Sequence, residues 1–158
     1  MAMQMTWPRF LHRLLDRQPT VGRLVSLCEE NYDLLLRLVP ELRQMEGDYR
    51  ARCPGHADLH LTILERGRYT TLLRLTYRFE DGRDAAEPDA VLRVYHDARE
   101  VEAVALRQSV LSTGNLYEAP ALANKWQLNW FVTKWLGFCV SLDYRFENYA
   151  QEPVEVVS

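Results

Sequence analysis

The sequence predicts an α+β fold: an antiparallel meander of about five strands, N-terminal helices, and a long C-terminal helix, with the helices packed mainly on one face of the sheet. Three observations predict it. The hydrophobic rhythm is close to a helical period up to residue 40, close to two from 47 to 108, and helical again from 122. The gaps between most strand-like segments are short, whereas parallel neighbours need a crossover of about a dozen residues or more. The helical segments flank the block of strands rather than alternating with them.

The first helical pattern is Trp7, Phe10, Leu11, Leu14 and Leu15, with Thr6 as N-cap and Pro8 in the first turn. Its other face carries Arg9, His12, Arg13 and Arg17. Such a face suits a membrane surface or an acidic partner, but a membrane-surface helix this short binds weakly, which favours a helix docked on the core with its cations in water. Gln18-Pro19-Thr20 ends this pattern and caps the next one. That helix runs to about Val39 on a stripe of Leu24, Cys28, Tyr32, Leu35 and Val39, widened by Val25 and Leu36, and Pro40 stops it.

Strands follow. Asp48 to Cys53 forms a short one, and Leu59, Leu61 and Ile63 alternate with His60, Thr62 and Leu64 in the next. Arg66-Gly67 signals a hairpin in which Gly67 can take positive φ. Tyr69 to Phe79 predicts the longest strand, and Glu80 to Asp89, with Gly82 and Pro88, a mobile loop. Val91 to Tyr95 and Val101 to Leu106 read as strands joined by a turn at His96 to Arg99. The final helix runs from about Leu122 to Leu142 on Leu128, Phe131, Trp135, Phe138 and Leu142, with Trp126 and Trp130 broadening that face. Trp126 reads as core and Trp130 as partly exposed. After Asp143, Tyr144 and Phe146 alternate with polar residues and suggest a short last strand.

The chain of 158 residues reads as a single domain: a basic amphipathic extension at 1–19, a core at 20–142 and a tail at 143–158. A formal charge of −3 argues against a dedicated surface for duplex nucleic acid. No apolar run reaches the length of about 20 residues that crosses a bilayer, and no secretory leader pattern opens the chain, so a cytoplasmic location without a membrane span is expected. The odd set Cys28, Cys53 and Cys139 also suits a reducing compartment. Cys53 and His56 make at most half of a metal site, and neither a metal nor a cofactor is expected.

Four stretches stand together in order: Leu27-Cys-Glu-Glu-Asn-Tyr32 with Leu38-Val-Pro40; Leu64-Glu-Arg-Gly-Arg-Tyr-Thr-Thr-Leu72; Arg93-Val-Tyr-His-Asp-Ala98; and Lys125-Trp-Gln-Leu-Asn129 with Trp135, Leu136 and Cys139. In this spacing the chain resembles the YqiB-like family of bacterial proteins over roughly residues 20 to 142. The resemblance implies the fold and a cytosolic setting, and it brings no assigned activity. Ala123 and Asn124 stand where the family usually has an acidic pair, Trp130 stands where a polar residue is expected, and the basic extension before Thr20 is an addition.

Among candidate chemical groups, His96 could act as a general base with Asp97 or Glu65 in support. Neighbouring strand residues point to opposite faces, however, and Asp97 at a turn more simply caps its own backbone. Arg68, Tyr69 and Thr70 after the Gly67 turn, with Tyr95 and with Lys125 from the last helix, could receive a small anion or an acidic protein segment. Cross-strand pairing accounts for the same residue types without a ligand. Lys125 and Asn129 share a helix face and either reach the sheet or lie in solvent; Glu29 and Asn31, beside their stripe, either face solvent or cap and hydrogen-bond a neighbouring loop. Trp130, Arg9 and Arg13 are the candidate partner surface, including one between copies of this chain. No serine-nucleophile motif, paired metal ligands or dinucleotide fingerprint is present. The sequence therefore favours a binding or interaction module over a small-molecule enzyme or a homo-oligomeric structural protein.

Overall fold

The computed structural model describes residues 20–78, 86–107 and 122–147. Helix α1 spans Val21–Leu38. Its N-cap is Thr20, whose hydroxyl accepts the Arg23 N–H at 3.1 Å. The Val39 N–H closes its far end on the Leu35 carbonyl, and Pro40 follows. A 3-10 turn, Leu42–Gln44, then leads into the strands.

The strands are β1 (Asp48–Ala51), β2 (Asp58–Arg66), β3 (Thr70–Arg78), β4 (Ala86–Tyr95) and β5 (Glu100–Arg107). They form one sheet in sequence order, and every neighbouring pair is antiparallel. Helix α2 spans Leu122–Ser141. The predicted α+β meander with a long C-terminal helix is therefore the observed architecture, and the described part contains one helix before the sheet.

One face of the sheet holds the core. Tyr49, Leu59, Leu61, Leu73, Leu75, Leu92, Val94 and Val101 meet Leu35 and Leu38 of α1 and Phe131, Trp135 and Leu136 of α2. The opposite face carries charged rows. Asp89 accepts from the Thr76 hydroxyl at 2.9 Å and lies 3.5 Å from both the Arg74 and Arg107 guanidinium groups. Arg50 stands 3.8 Å from Asp58 on the same side.

Several expectations change. Residues 79–85 lie outside the described residues, but Ala86 to Asp89 belong to β4 rather than to a loop. Pro88 is tolerated there because it falls at a register shift between Thr76 and Arg78. Among the described residues β4 holds 10 residues and β3 nine. A bulge shifts the β2–β3 register between Ile63 and Glu65, and Leu64 is exposed. Gly67 does not use positive φ. Its place is set by space, since a Cβ would sit 2.8 Å from the Thr70 hydroxyl.

The tail forms no strand over residues 143–147. Tyr144 and Phe146 instead join the core, the Tyr144 hydroxyl donating to the Ala57 carbonyl and the Phe146 N–H to the Leu38 carbonyl. Trp130 is not partly exposed. It is 5% exposed and stacked on Trp126, with ring centroids 6.2 Å apart, over Leu24 and Leu27. Every residue from Leu128 to Thr133 is buried, so this stretch of α2 is enclosed on all sides rather than along one stripe.

Candidate functional site

Among the described residues β5 is the last strand of the sheet, and its outer backbone groups need partners. Two asparagines meet two of them. Asn129 of α2 accepts the Ala103 N–H at 2.8 Å, and Asn31 of α1 donates to the Val101 carbonyl at 3.3 Å. The two amides meet at 3.4 Å, and the Thr133 hydroxyl reaches Asn31 Oδ1 at 2.5 Å. Of the alternatives left by the sequence, Asn31 and Asn129 both turn inward, while Glu29 faces solvent. Lys125, one turn before Asn129, reaches past the edge to Glu102 at 3.6 Å.

A second cluster forms at the end of the sheet where the β2–β3 hairpin, the 3-10 turn and the β4–β5 turn come together. Arg66 ties the first two together, pairing with Glu46 at 3.0 Å and donating to the Arg43 carbonyl at 2.7 Å. Arg43 donates to the Arg68 carbonyl at 3.5 Å, and the Arg68 guanidinium lies 5.4 Å from the Tyr69 ring centre. The His96 N–H donates to the Tyr69 carbonyl at 2.8 Å. The hairpin tip thus holds exposed Arg68 and a Tyr69 that is 50% exposed. Among the described residues neither Arg43 nor Arg68 has a carboxylate partner.

His96 is buried. Its Nε2 lies 2.8 Å from the Thr71 hydroxyl, and its Nδ1 has no hydrogen-bond partner among the described residues. Burial first, and the Arg43 charge second, hold its pKa below the ordinary histidine value, with Asp97 opposing. The Asp97 carboxylate accepts the Ala98 N–H at 2.9 Å and so serves the turn. Glu65 is exposed and pairs in register with Leu72 on β3. No carboxylate therefore hydrogen-bonds His96, and no general-base pair is assembled among the described residues. The next turn residue, Arg99, takes φ 57° and places its guanidinium 5.0 Å from the Tyr32 ring centre on α1.

The predicted ligand residues divide into two groups. Arg68, Tyr69 and Thr70 stay at the hairpin. Tyr95 and Lys125 converge on Glu102, with the Tyr95 hydroxyl donating at 3.2 Å. Arg9 and Arg13 lie outside the described residues. Arg43 and Glu102 were missed. Arg43 sits in a short 3-10 turn, where no periodicity marks it, and Glu102 lay in a strand read only for its apolar face.

Among the described residues, no group of three or more His, Cys, Asp or Glu side chains is placed to hold a metal ion. No helix among them is long and apolar enough to cross a membrane.

Fold and clusters define the class: an α+β domain whose two helices pack against an antiparallel meander and each reach the backbone of β5 through an asparagine, with an arginine-bearing hairpin at one end. The chain belongs to the family described as protein of unknown function (DUF1249), whose model matches residues 34–145. It is similar to the uncharacterized protein YqiB of Escherichia coli K12, at 30% identity over 128 residues, covering 78% of this chain and 90% of the relative. The YqiB proteins of strains CFT073 and O157:H7 match with the same identity and coverage. These matches show the YqiB-like membership that the four motifs suggested. No solved structure matches the chain.

Proposed function

We propose that this chain is a cytoplasmic bacterial binding or interaction module, and that its hairpin end takes an anionic group from a small molecule or from an acidic protein segment. The observation that carries this reading is the pair Arg43 and Arg68. The Arg43 guanidinium is held at the Arg68 backbone carbonyl, the Arg68 guanidinium lies by the half-exposed Tyr69 ring, and neither has a carboxylate partner among the described residues. Guanidinium groups bind carboxylate and phosphate through charge-assisted hydrogen bonds, and a phenol adds a further donor. Three free cysteines and relatives from Escherichia coli support the cytoplasmic and bacterial setting.

The experiment is a thermal-shift panel on the full chain. Its arms are inorganic sulfate, nucleotides, organic acids and a short acidic peptide. A ligand that prefers the native state raises the midpoint. Arg43→Ala and Arg68→Ala should each remove most of the shift. Absence of any shift across all arms contradicts the proposal. A shift with the peptide alone assigns the anion to a protein partner, and a shift with the small anions assigns it to a free ligand.

A further inference from the structure

We infer that the hairpin end takes its anion from an acidic protein segment and not from a free small molecule, with the Tyr69 ring as the apolar contact; this step rests on the reading of that end as an anion site. The shape of the end decides between the two sources. Every residue from Leu64 to Tyr69 is exposed, and so is Arg43. Sites for small molecules are concave and bury most of the ligand, so the protein must supply walls as well as charges. A tip of six consecutive exposed residues supplies no wall on its outer side. A partner protein brings that wall with it, because its own surface closes over the tip and excludes water from the contact.

The residue types agree. Tyr and Arg are enriched among the side chains that carry the energy of protein interfaces. Here the Arg68 guanidinium lies 5.4 Å from the Tyr69 ring centre, and Tyr69 is 50% exposed. This end carries Arg43, Arg66 and Arg68 against Glu46 and Glu65. Arg66 takes up Glu46 at 3.0 Å, while Arg43 and Arg68 have no carboxylate partner among the described residues. The tip is also braced. The Gly67 N–H donates to the Thr70 carbonyl at 2.8 Å, the His96 N–H donates to the Tyr69 carbonyl at 2.8 Å, and Arg66 donates to the Arg43 carbonyl at 2.7 Å. A contact surface already held in place loses little freedom when a partner docks. An acidic segment lays carboxylates on Arg43 and Arg68 and an apolar side chain on the Tyr69 ring. A free anion meets the guanidinium groups alone.

The test uses the full chain and a dye-labelled synthetic peptide, a short run of Glu and Asp with one central Phe, followed by fluorescence anisotropy. Three unlabelled competitors are titrated against it: the same peptide with Ala for Phe, a neutral copy with Gln and Asn for the acids, and sodium sulfate. The Phe peptide should bind about tenfold or more tighter than sulfate, the Ala peptide about threefold to tenfold weaker than the Phe peptide, and the neutral copy should not compete. Thermal shifts should follow the same order, with the peptide raising the midpoint at concentrations where sulfate does not. Tyr69 is exposed, so Tyr69→Ala should fold. It should weaken the Phe peptide about tenfold and sulfate about twofold at most. Arg68→Ala should weaken both, and Arg107→Ala, on the charged face of the sheet, should change neither. Sulfate or a nucleotide that binds as tightly as the Phe peptide overturns the inference and leaves the anion site standing. So does peptide affinity that Tyr69→Ala does not move. Peptide binding that survives both Arg43→Ala and Arg68→Ala, or no binding of peptide or anion at all, overturns both readings.

Discussion

Asn31 and Asn129 meet at 3.4 Å across α1 and α2, and each hydrogen-bonds one backbone group of β5. Both lie within stretches that carry the family resemblance. An open strand edge invites pairing with another chain, and here two side-chain amides take up one N–H and one carbonyl of that strand. A buried polar group left without a partner costs about 1–3 kcal/mol. Asn129→Ala strands the Ala103 N–H and one bond of Asn31. It should lower stability by about 2–4 kcal/mol in urea unfolding. Asn31→Ala with Asn129→Ala should cost clearly less than the sum of the single changes. Strict additivity would show that the two amides do not act as one node.

Trp130 supplies core rather than a contact surface. Trp130→Ala should cost about 3–5 kcal/mol, because the stack on Trp126 leaves a cavity. The mass measured by light scattering should not change. A shift from a larger assembly to monomer would restore Trp130 as an anchor between copies.

Cysteine reactivity should divide by burial. Burial, with smaller contributions from Glu100 and Glu102, pushes the Cys28 thiol up to about 12, and burial raises Cys139 as well. Cys53 is only half-buried, near the Leu142 carbonyl. A thiol reagent on the native protein should label Cys53 first and the other two only on unfolding, as read by peptide mass. Rapid native labelling of Cys139 would contradict the packing of α2.

Stability should fall on mild acidification. Burial, then Arg78 for His60 and Arg43 for His96, holds both imidazoles below their ordinary value of 6.5. The unfolded chain then takes up protons first as pH drops. Stability is complete above 6.5 and declines from there toward the lowered folded values. Urea midpoints should therefore be lower at about pH 5.5 than at about pH 7.5. A midpoint that rises over that interval would contradict the burial of these rings.

Much of this was legible in the sequence. The change of hydrophobic period gave the element order, Thr20 gave the start of α1, and the one-turn spacing of Lys125 and Asn129 left open the reach to the sheet that is observed. What failed had physical causes. Pro88 and its polar neighbours carry turn chemistry, and only the register shift on β3 makes room for a proline in a strand. Tyr144 and Phe146 alternate like strand residues, yet they fill the core through non-strand backbone. Trp130 looked partly exposed because its place at the margin of the stripe was judged from α2 alone, whereas α1 supplies Leu24 and Leu27 against it. That Asn129 would meet Asn31, and that Arg43 would lie against the hairpin, depends on contacts between elements far apart in the chain. Local pattern carries no trace of these.

The location of anion binding is the most direct test. Backbone amide shifts should be followed by NMR while the full chain is titrated with sulfate near pH 6. Shifts gathered at Arg43, at Arg66 to Tyr69 and at His96 are the predicted result. Shifts centred on Arg50, Arg74 and Arg107, on the charged face of the sheet, would contradict it, as would a spectrum that does not move.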